Sequence, residues 1–221
     1  MTELEGEKIC RSKIEFGYHY RGVEKKCEGL ALRSLPDAAE GMSSSLGITH
    51  ALTVTHCLEK AWGIDIPERA QAIRMVFLEL ERIYDHCLSL SRICQTVQLV
   101  SAWEAFLKCR EMIEYLLAKV NHVPYEVKVQ RLGGVAFNLE RGQIFETLRC
   151  LKKLEHQIDE WHRLLSRNKL WMERTQVGAL TATDAIYSGL GGPLLRSCGV
   201  NYDLRKVSPY YFYQEVQFEI P

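Results

Sequence analysis

No two of the eight cysteines (Cys10, Cys27, Cys57, Cys87, Cys94, Cys109, Cys150 and Cys198) are separated by only two residues. The paired spacing used by zinc and iron–sulfur sites is therefore missing. An excess of charge of one sign is missing too, since 28 Lys+Arg offset 28 Asp+Glu. This removes a general electrostatic drive toward nucleic acid or an acidic membrane surface. No apolar run reaches the roughly 18–20 residues of a spanning helix. The opening Met1-Thr2-Glu3-Leu4-Glu5-Gly6-Glu7 is acidic, without the basic-then-apolar order of a secretion signal. There is no internal repeat, no low-complexity linker and no nucleophile–base constellation. Gly191-Gly192-Pro193 does not follow a strand, so it is no phosphate loop. The expectation is a soluble cytoplasmic chain whose cysteines stay reduced, several of them packing as small hydrophobes inside helices.

What is present is ordinary globular composition, 47% hydrophobic and 25% charged over 221 residues, enough for one domain. Helical spacing predicts a helix over about 46–62, with Leu46, Ala51, Leu52, Val54, Thr55 and Leu58 near one face. Gly63 ends it, and Asp65 ahead of Pro67-Glu68 is a start signal for the next helix, running to about Val97. Its stripe is Ile73, Val76, Phe77, Leu80, Ile83, Tyr84, Cys87 and Leu88. Another helix is expected over about 102–120 and a long one over about 143–174. Between them, Asn121-His122-Val123-Pro124 breaks the pattern, Tyr125 to Val129 alternates as a strand does, and Arg131-Leu132-Gly133-Gly134-Val135 reads as a turn. After Thr175 small residues and glycines dominate. The aromatic run Tyr210-Tyr211-Phe212-Tyr213 and the alternating Val216 to Ile220 read as a strand entering a core, as though the chain were cut short. The expected architecture is mainly α, one domain over 1–221: an N-terminal segment (1–44), a bundle of long helices (45–174) and a Gly-rich, aromatic segment (175–221), with small peripheral β elements.

Four segments carry a resemblance. They are Gly17-Tyr18-His19-Tyr20-Arg21-Gly22-Val23-Glu24-Lys25; Ile66-Pro67-Glu68-Arg69-Ala70-Gln71-Ala72-Ile73-Arg74 with Glu79-Leu80-Glu81-Arg82-Ile83; Arg131 to Val135; and Gly191 to Lys206 followed by Pro209-Tyr210. In order and spacing, from Phe16 onward, they resemble the large subunit shared by group 4 (membrane-bound) nickel–iron hydrogenases and respiratory complex I. The resemblance implies the helical large-subunit fold. It also implies a redox role beside an iron–sulfur small subunit and membrane subunits, peripheral to the inner face of the cell membrane, with a quinone-like acceptor and no nucleic acid. The iron–sulfur cluster is expected in the partner subunit and no cofactor in this chain.

The resemblance also places residues. Nickel ligands of the hydrogenases would fall at Ser43 and Leu46, where a hydroxyl is a poor soft-metal ligand and an isobutyl group is none. No metal is expected. The tyrosine that contacts quinone in complex I corresponds to Ser44. A quinone-contacting His on an N-terminal β-hairpin would precede Phe16, where the chain reads as too short to build the hairpin. Tyr20 stands where many relatives have His. Glu24 matches a glutamate on a proton route, against the plainer reading of a Glu24–Arg or Glu24–Lys pair. Arg196, Asp203 and Arg205 line the redox cavity in relatives, or else form an Arg–carboxylate network closing a Gly-rich loop. His50 follows the metal motif and without metal is expected to be a satisfied interior histidine. Arg21, Ser44 and Arg196 are the candidate substrate contacts, and Glu24, His50, Asp203 and Arg205 the candidate catalytic groups. Arg69, Arg74 and Arg82 with Glu79 and Glu81 read as a solvated helix face, or as a face toward the small subunit.

Overall fold

Apolar residues recurring every three or four positions generate two long antiparallel helices, and the rest of the chain is arranged around them. The computed structural model describes residues 2–121 and 127–220. In chain order the elements are β1 (Thr2–Glu5), β2 (Lys8–Ser12), α1 (Val23–Cys27), α2 (Leu35–Glu40), α3 (Ile48–Trp62), α4 (Glu68–Thr96) and α5 (Val100–Asn121). They continue with β3 (Gln130–Arg131), β4 (Gly134–Val135), α6 (Arg141–Leu165), α7 (Lys169–Thr175), α8 (Ala182–Tyr187), α9 (Gly192–Ser197) and α10 (Leu204–Val207). The mainly α architecture expected from periodicity is the one observed.

At 29 residues α4 is about 43 Å long. One stripe of it (Ile73, Phe77, Leu80, Tyr84, Cys87) packs on Cys109, Ile113, Leu116 and Leu117 of α5 and on Ile48 and Leu52 of α3. Burying this cluster is the principal stabilising term for the bundle. A second cluster, Cys94, Ala102, Phe106 and Leu165 with Trp161 and Trp171 against it, closes the far end under the α4–α5 turn. All eight cysteines are unpaired thiols, and Cys87, Cys94 and Cys109 are buried in these clusters.

Several expectations are corrected. Pro67, not Asp65, occupies the N-cap of α4. The single helix predicted over 143–174 is two. The Ser166 hydroxyl donates back to the His162 carbonyl at 2.7 Å, and Asn168 leaves helical geometry to cap α7, accepting from Trp171 N at 3.0 Å. Asparagine satisfies a helix start better than it continues a helix. The start of α6 is a reciprocal capping box between Glu140 and Gln143. The tail does not form a strand among the described residues. Val216 is exposed, and Phe218 lies beneath Arg205 and Lys206, with 4.6 and 4.5 Å from the cations to the ring centre.

Nor is the N-terminus too short for a hairpin: β1 and β2 pair antiparallel from Thr2↔Ser12 to Glu5↔Lys8 around Gly6, although no histidine lies on it. The alternating 125–129 segment falls partly outside the described residues. The ladder itself begins at Gln130, pairing with Val135 across a turn in which Gly133 has φ +78° and Ile64 packs beside it.

Candidate functional site

The serine-rich segment before α3 is held from three sides. Gly47 precedes the helix in the left-handed region (φ +77°), and a Cβ there would meet the Glu40 carbonyl oxygen at 2.5 Å, so only glycine fits. Glycine offers no side-chain cap, and the buried Glu81 carboxylate of α4 supplies one instead. It accepts from Ile48 N at 2.9 Å, Thr49 N at 2.6 Å and the Thr49 hydroxyl. A carboxylate at a helix N-terminus satisfies orphan amides and favours the helix dipole. One turn further along α4, Asp85 accepts from the Ser45 hydroxyl at 2.8 Å. From the other side Arg21 donates to the Ser43 and Gly41 carbonyls at 2.6 and 3.2 Å.

Ser44, at the middle of this fixed loop, is exposed, as is His50. The interior location expected for His50 is therefore corrected. Buried positions on α3 are Ile48, Ala51, Leu52, Thr55 and Glu59, and at about 100° per residue His50 points away from that face. Glu24 is exposed on α1 with no ion pair among the described residues. The pair formed there is Lys25–Glu28 at 2.6 Å, so the expected Glu24–Arg or Glu24–Lys pair is not made.

The candidates near the C-terminus do come together. Asp203 caps α10, accepting from Arg205 N at 2.9 Å, and takes Arg205 Nε and Nη2 side by side at 3.0 and 2.7 Å. Arg196 adds a longer contact at 3.7 Å. Arg205 also reaches Glu79 on α4 at 3.3 Å, where Arg82 pairs at 3.1 Å and the Tyr213 hydroxyl donates. Arg205's hydrogen bonds hold the Asp203 carboxyl down at about 2, while burial and then the bond to Glu79 push the Tyr213 phenol up. This is a closed Arg–carboxylate network that docks the Gly-rich loop on α4, within two turns of where Glu81 and Asp85 hold the serine loop.

A third network was not legible as such. Arg74, read as part of a solvated face, is fully buried and meets buried Glu59 through two bonds of 2.7 and 2.6 Å. Its remaining donors go to the Arg131 and Gly134 carbonyls at 2.9 and 2.7 Å and to the Tyr211 phenol oxygen at 3.3 Å. Glu59 also accepts from Gly133 N at 2.8 Å. A five-donor guanidinium is the side chain able to saturate so many acceptors in a dry site. One signal was available: Glu59 falls at i+7 from Leu52, and Arg74 sits between Ala70 and Phe77. Both charges interrupt apolar stripes, as a buried pair requires. The rest of the supposed solvated face is also engaged, Arg69 holding Asn138 and the Leu139 carbonyl at 2.8 and 2.9 Å.

These arrangements are positional chemistry: charges matched by charges, with the serine loop, the β3–β4 turn and the 203–213 segment all fastened to α4. A nickel–iron group does not fit the donor set. Ser43 Oγ accepts from Ser45 N at 3.0 Å, and Leu46 packs against the core. Among the described residues no group of three or more His, Cys, Asp or Glu could hold a metal ion, and no helix is long and apolar enough to cross a membrane.

Residues 99–221 match the family described as respiratory-chain NADH dehydrogenase, 49 Kd subunit. The chain is 34% identical over its whole length to the NADH-quinone oxidoreductase C/D 2 subunit of Aquifex aeolicus, covering 38% of that protein. It is likewise 34% identical to the NADH-quinone oxidoreductase D subunit of Salinibacter ruber and 31% identical to that of a Sulfurovum species, covering 100% of this chain in each case and 49% and 54% of those proteins. The chain thus spans about half, or less, of the length of the curated relatives it matches.

Proposed function

The chain belongs to the family of the 49 kDa subunit of respiratory-chain NADH dehydrogenase, and from that premise we propose that it works inside a multisubunit NADH-quinone oxidoreductase. In this reading it forms one wall of the quinone site and abuts an iron–sulfur subunit, whose cluster delivers the electrons. The assembly lies against membrane subunits at the inner face of the cell membrane. The observation that carries the reading is the serine loop: Arg21, Asp85 and Glu81 immobilise its backbone while Ser44 faces outward. Fixing a loop whose central side chain is exposed and makes no hydrogen bond among the described residues fits a loop that completes a site with something outside it. Arg205 and Asp203 then act as positioning residues, holding the adjoining segment on the same helix, and Arg21 positions rather than binds.

A second reading, a scaffold subunit that keeps the fold and partner-binding face without turnover, is favoured by Glu24. Its carboxylate is exposed on α1 and makes no ion pair among the described residues, so it lines no enclosed route toward the serine loop. Ser44 also offers a hydroxyl where relatives of the complex I type present a phenol.

Co-expression with the iron–sulfur subunit and membrane subunits of the same organism separates these readings. Co-purification of a cluster-bearing complex that reduces a short-chain quinone, with turnover lowered by Ser44→Trp, supports the first. A cluster-bearing complex without turnover supports the scaffold. Failure of the intact chain to join any such complex overturns both.

A further inference from the structure

We propose that His56 is a proton-operated latch: the neutral imidazole seats Tyr211 over the buried Arg74–Glu59 pair, and the imidazolium unseats it. The inference goes beyond the family reading and does not rest on it. His56 lies on the flank of the buried face of α3, between buried Thr55 and buried Glu59, and is itself half-buried. Its ring meets the Tyr211 ring edge to face, with 5.3 Å between centres and 61° between planes. Tyr211 is also held by Arg74, which donates to its hydroxyl at 3.3 Å and stands 5.7 Å over its ring, and Tyr210 packs on it at 5.5 Å. The Tyr211 backbone has φ +51°, in the left-handed region that a bulky side chain rarely adopts. Such a conformation persists only while its contacts hold it, so losing one of them shifts the balance.

Nδ1 of His56 is buried and makes no hydrogen bond among the described residues. The neutral ring accommodates this by carrying its proton on Nε2, whereas the imidazolium bears N–H on both nitrogens. Protonation therefore turns a bare acceptor into a buried, charged donor with nothing to accept from it, which costs more. It also adds a positive charge to a crowded place. The charged and titratable groups that face the imidazole are Glu59 and Lys60 of α3, Arg74 of α4 and Tyr211 itself. Among them Glu59 alone is an anion, and its oxygens are already occupied by two bonds from Arg74 and one from Gly133 N. Burial, and then Lys60, hold the imidazole below its ordinary 6.5. When Tyr211 leaves, water replaces it and the proton affinity returns toward the ordinary value. The unseated state thus binds the proton more tightly, so the seat is complete above pH 6.5 and is lost as pH falls below it. That window lies above the one set by the Asp203 carboxyl, which sits at about 2.

Two measurements on the full 221-residue chain test this. Histidine-selective NMR follows the His56 imidazole from about pH 8 to about 4.5, its signal identified by its absence from His56→Phe. The midpoint is expected below 6.5 and, in Tyr211→Ala, to rise by about 0.5 unit or more because the covering ring is gone. Near-ultraviolet dichroism over the same range is expected to lose part of the tyrosine signal in the unaltered chain. In His56→Phe, which keeps an aromatic edge against Tyr211 but cannot titrate, the signal is expected to stay level. Far-ultraviolet dichroism checks that each variant keeps its helices, and His56→Gln, equally unable to titrate, replaces the Phe variant should that one misfold. A midpoint at or above 6.5, or one indifferent to Tyr211→Ala, overturns the proposal. So does a tyrosine signal that is flat in the unaltered chain, or that the non-titrating variant loses to the same extent.

Discussion

Replacing Arg74 by Met is the sharpest test of how the bundle is held together. The substitution conserves length and apolar bulk, so little cavity is opened, but it strips the partner from Glu59, whose side chain is 1% exposed. Glu59 would keep only the Gly133 amide at 2.8 Å, and the Arg131 and Gly134 carbonyls would lose their donors. Breaking a buried pair by removing one partner costs about 3–5 kcal/mol, because a charge is left unmatched in a dry site. Taking about 4 kcal/mol and a urea m-value of about 2–3 kcal/mol/M, the midpoint falls by about 1.3–2 M. Removing both charges as Glu59→Leu/Arg74→Met is expected to be milder than Arg74→Met alone, since no uncompensated charge remains. The cycle of the two single variants and the double variant, followed by tryptophan fluorescence in urea, isolates the coupling. An Arg74→Met loss below about 1 kcal/mol, or a double variant equal to the sum of the singles, refutes the assignment of a buried, mutually dependent pair.

Other outcomes follow from the same geometry. Gly47→Ala is expected to destabilise by at least about 2 kcal/mol, because its Cβ meets the Glu40 backbone in addition to the left-handed strain. Gly63→Ala, left-handed but facing open space, costs only about 1 kcal/mol, and the two melting curves compared give the check. Glu81→Ala removes the cap of α3 and is expected to cost about 2–3 kcal/mol by urea denaturation, with Glu81→Gln recovering part of it. The Asp203 carboxyl sits at about 2 against an ordinary 3.8. Its stabilisation is therefore complete above pH 4 and is lost as pH falls from there toward 2. Near-ultraviolet dichroism of the tyrosine cluster should fade over that window, and Asp203→Asn should weaken the signal at neutral pH and abolish the acid step.

The regular elements were readable because their signal is local. The stripes of α3, α4 and α5 repeat within one helix, and Gly63 and the Pro67-Glu68 step punctuate them. The errors arose where one residue's choice of partner overrode periodicity. The α6 pattern runs on past Ser166, but Asn168 prefers to cap a new helix. The alternation of Val216 to Ile220 has the period of a strand, yet no neighbouring edge is there to pair with it among the described residues, and Phe218 packs under two cations instead. Of the candidate residues, Arg21, Arg196, Asp203 and Arg205 join networks with α4 or with the loop it holds, whereas Glu24, Ser44 and His50 remain at the surface.

The amino-acid order alone determined the helical class, the lengths of α3, α4 and α5 to within a few residues, and the unsuitability of Ser43 and Leu46 as soft-metal ligands, because periodicity and donor chemistry belong to residues individually or to near neighbours. Only the tertiary structure decided that Arg74 is interior and paired with Glu59, that Glu81 caps a helix beginning 33 positions earlier, and that Arg205 reaches Glu79 across 126 positions. Whether a charge is solvated or buried depends on what the rest of the chain packs over it, and that is set when distant segments converge, not by the spacing of the residues beside it.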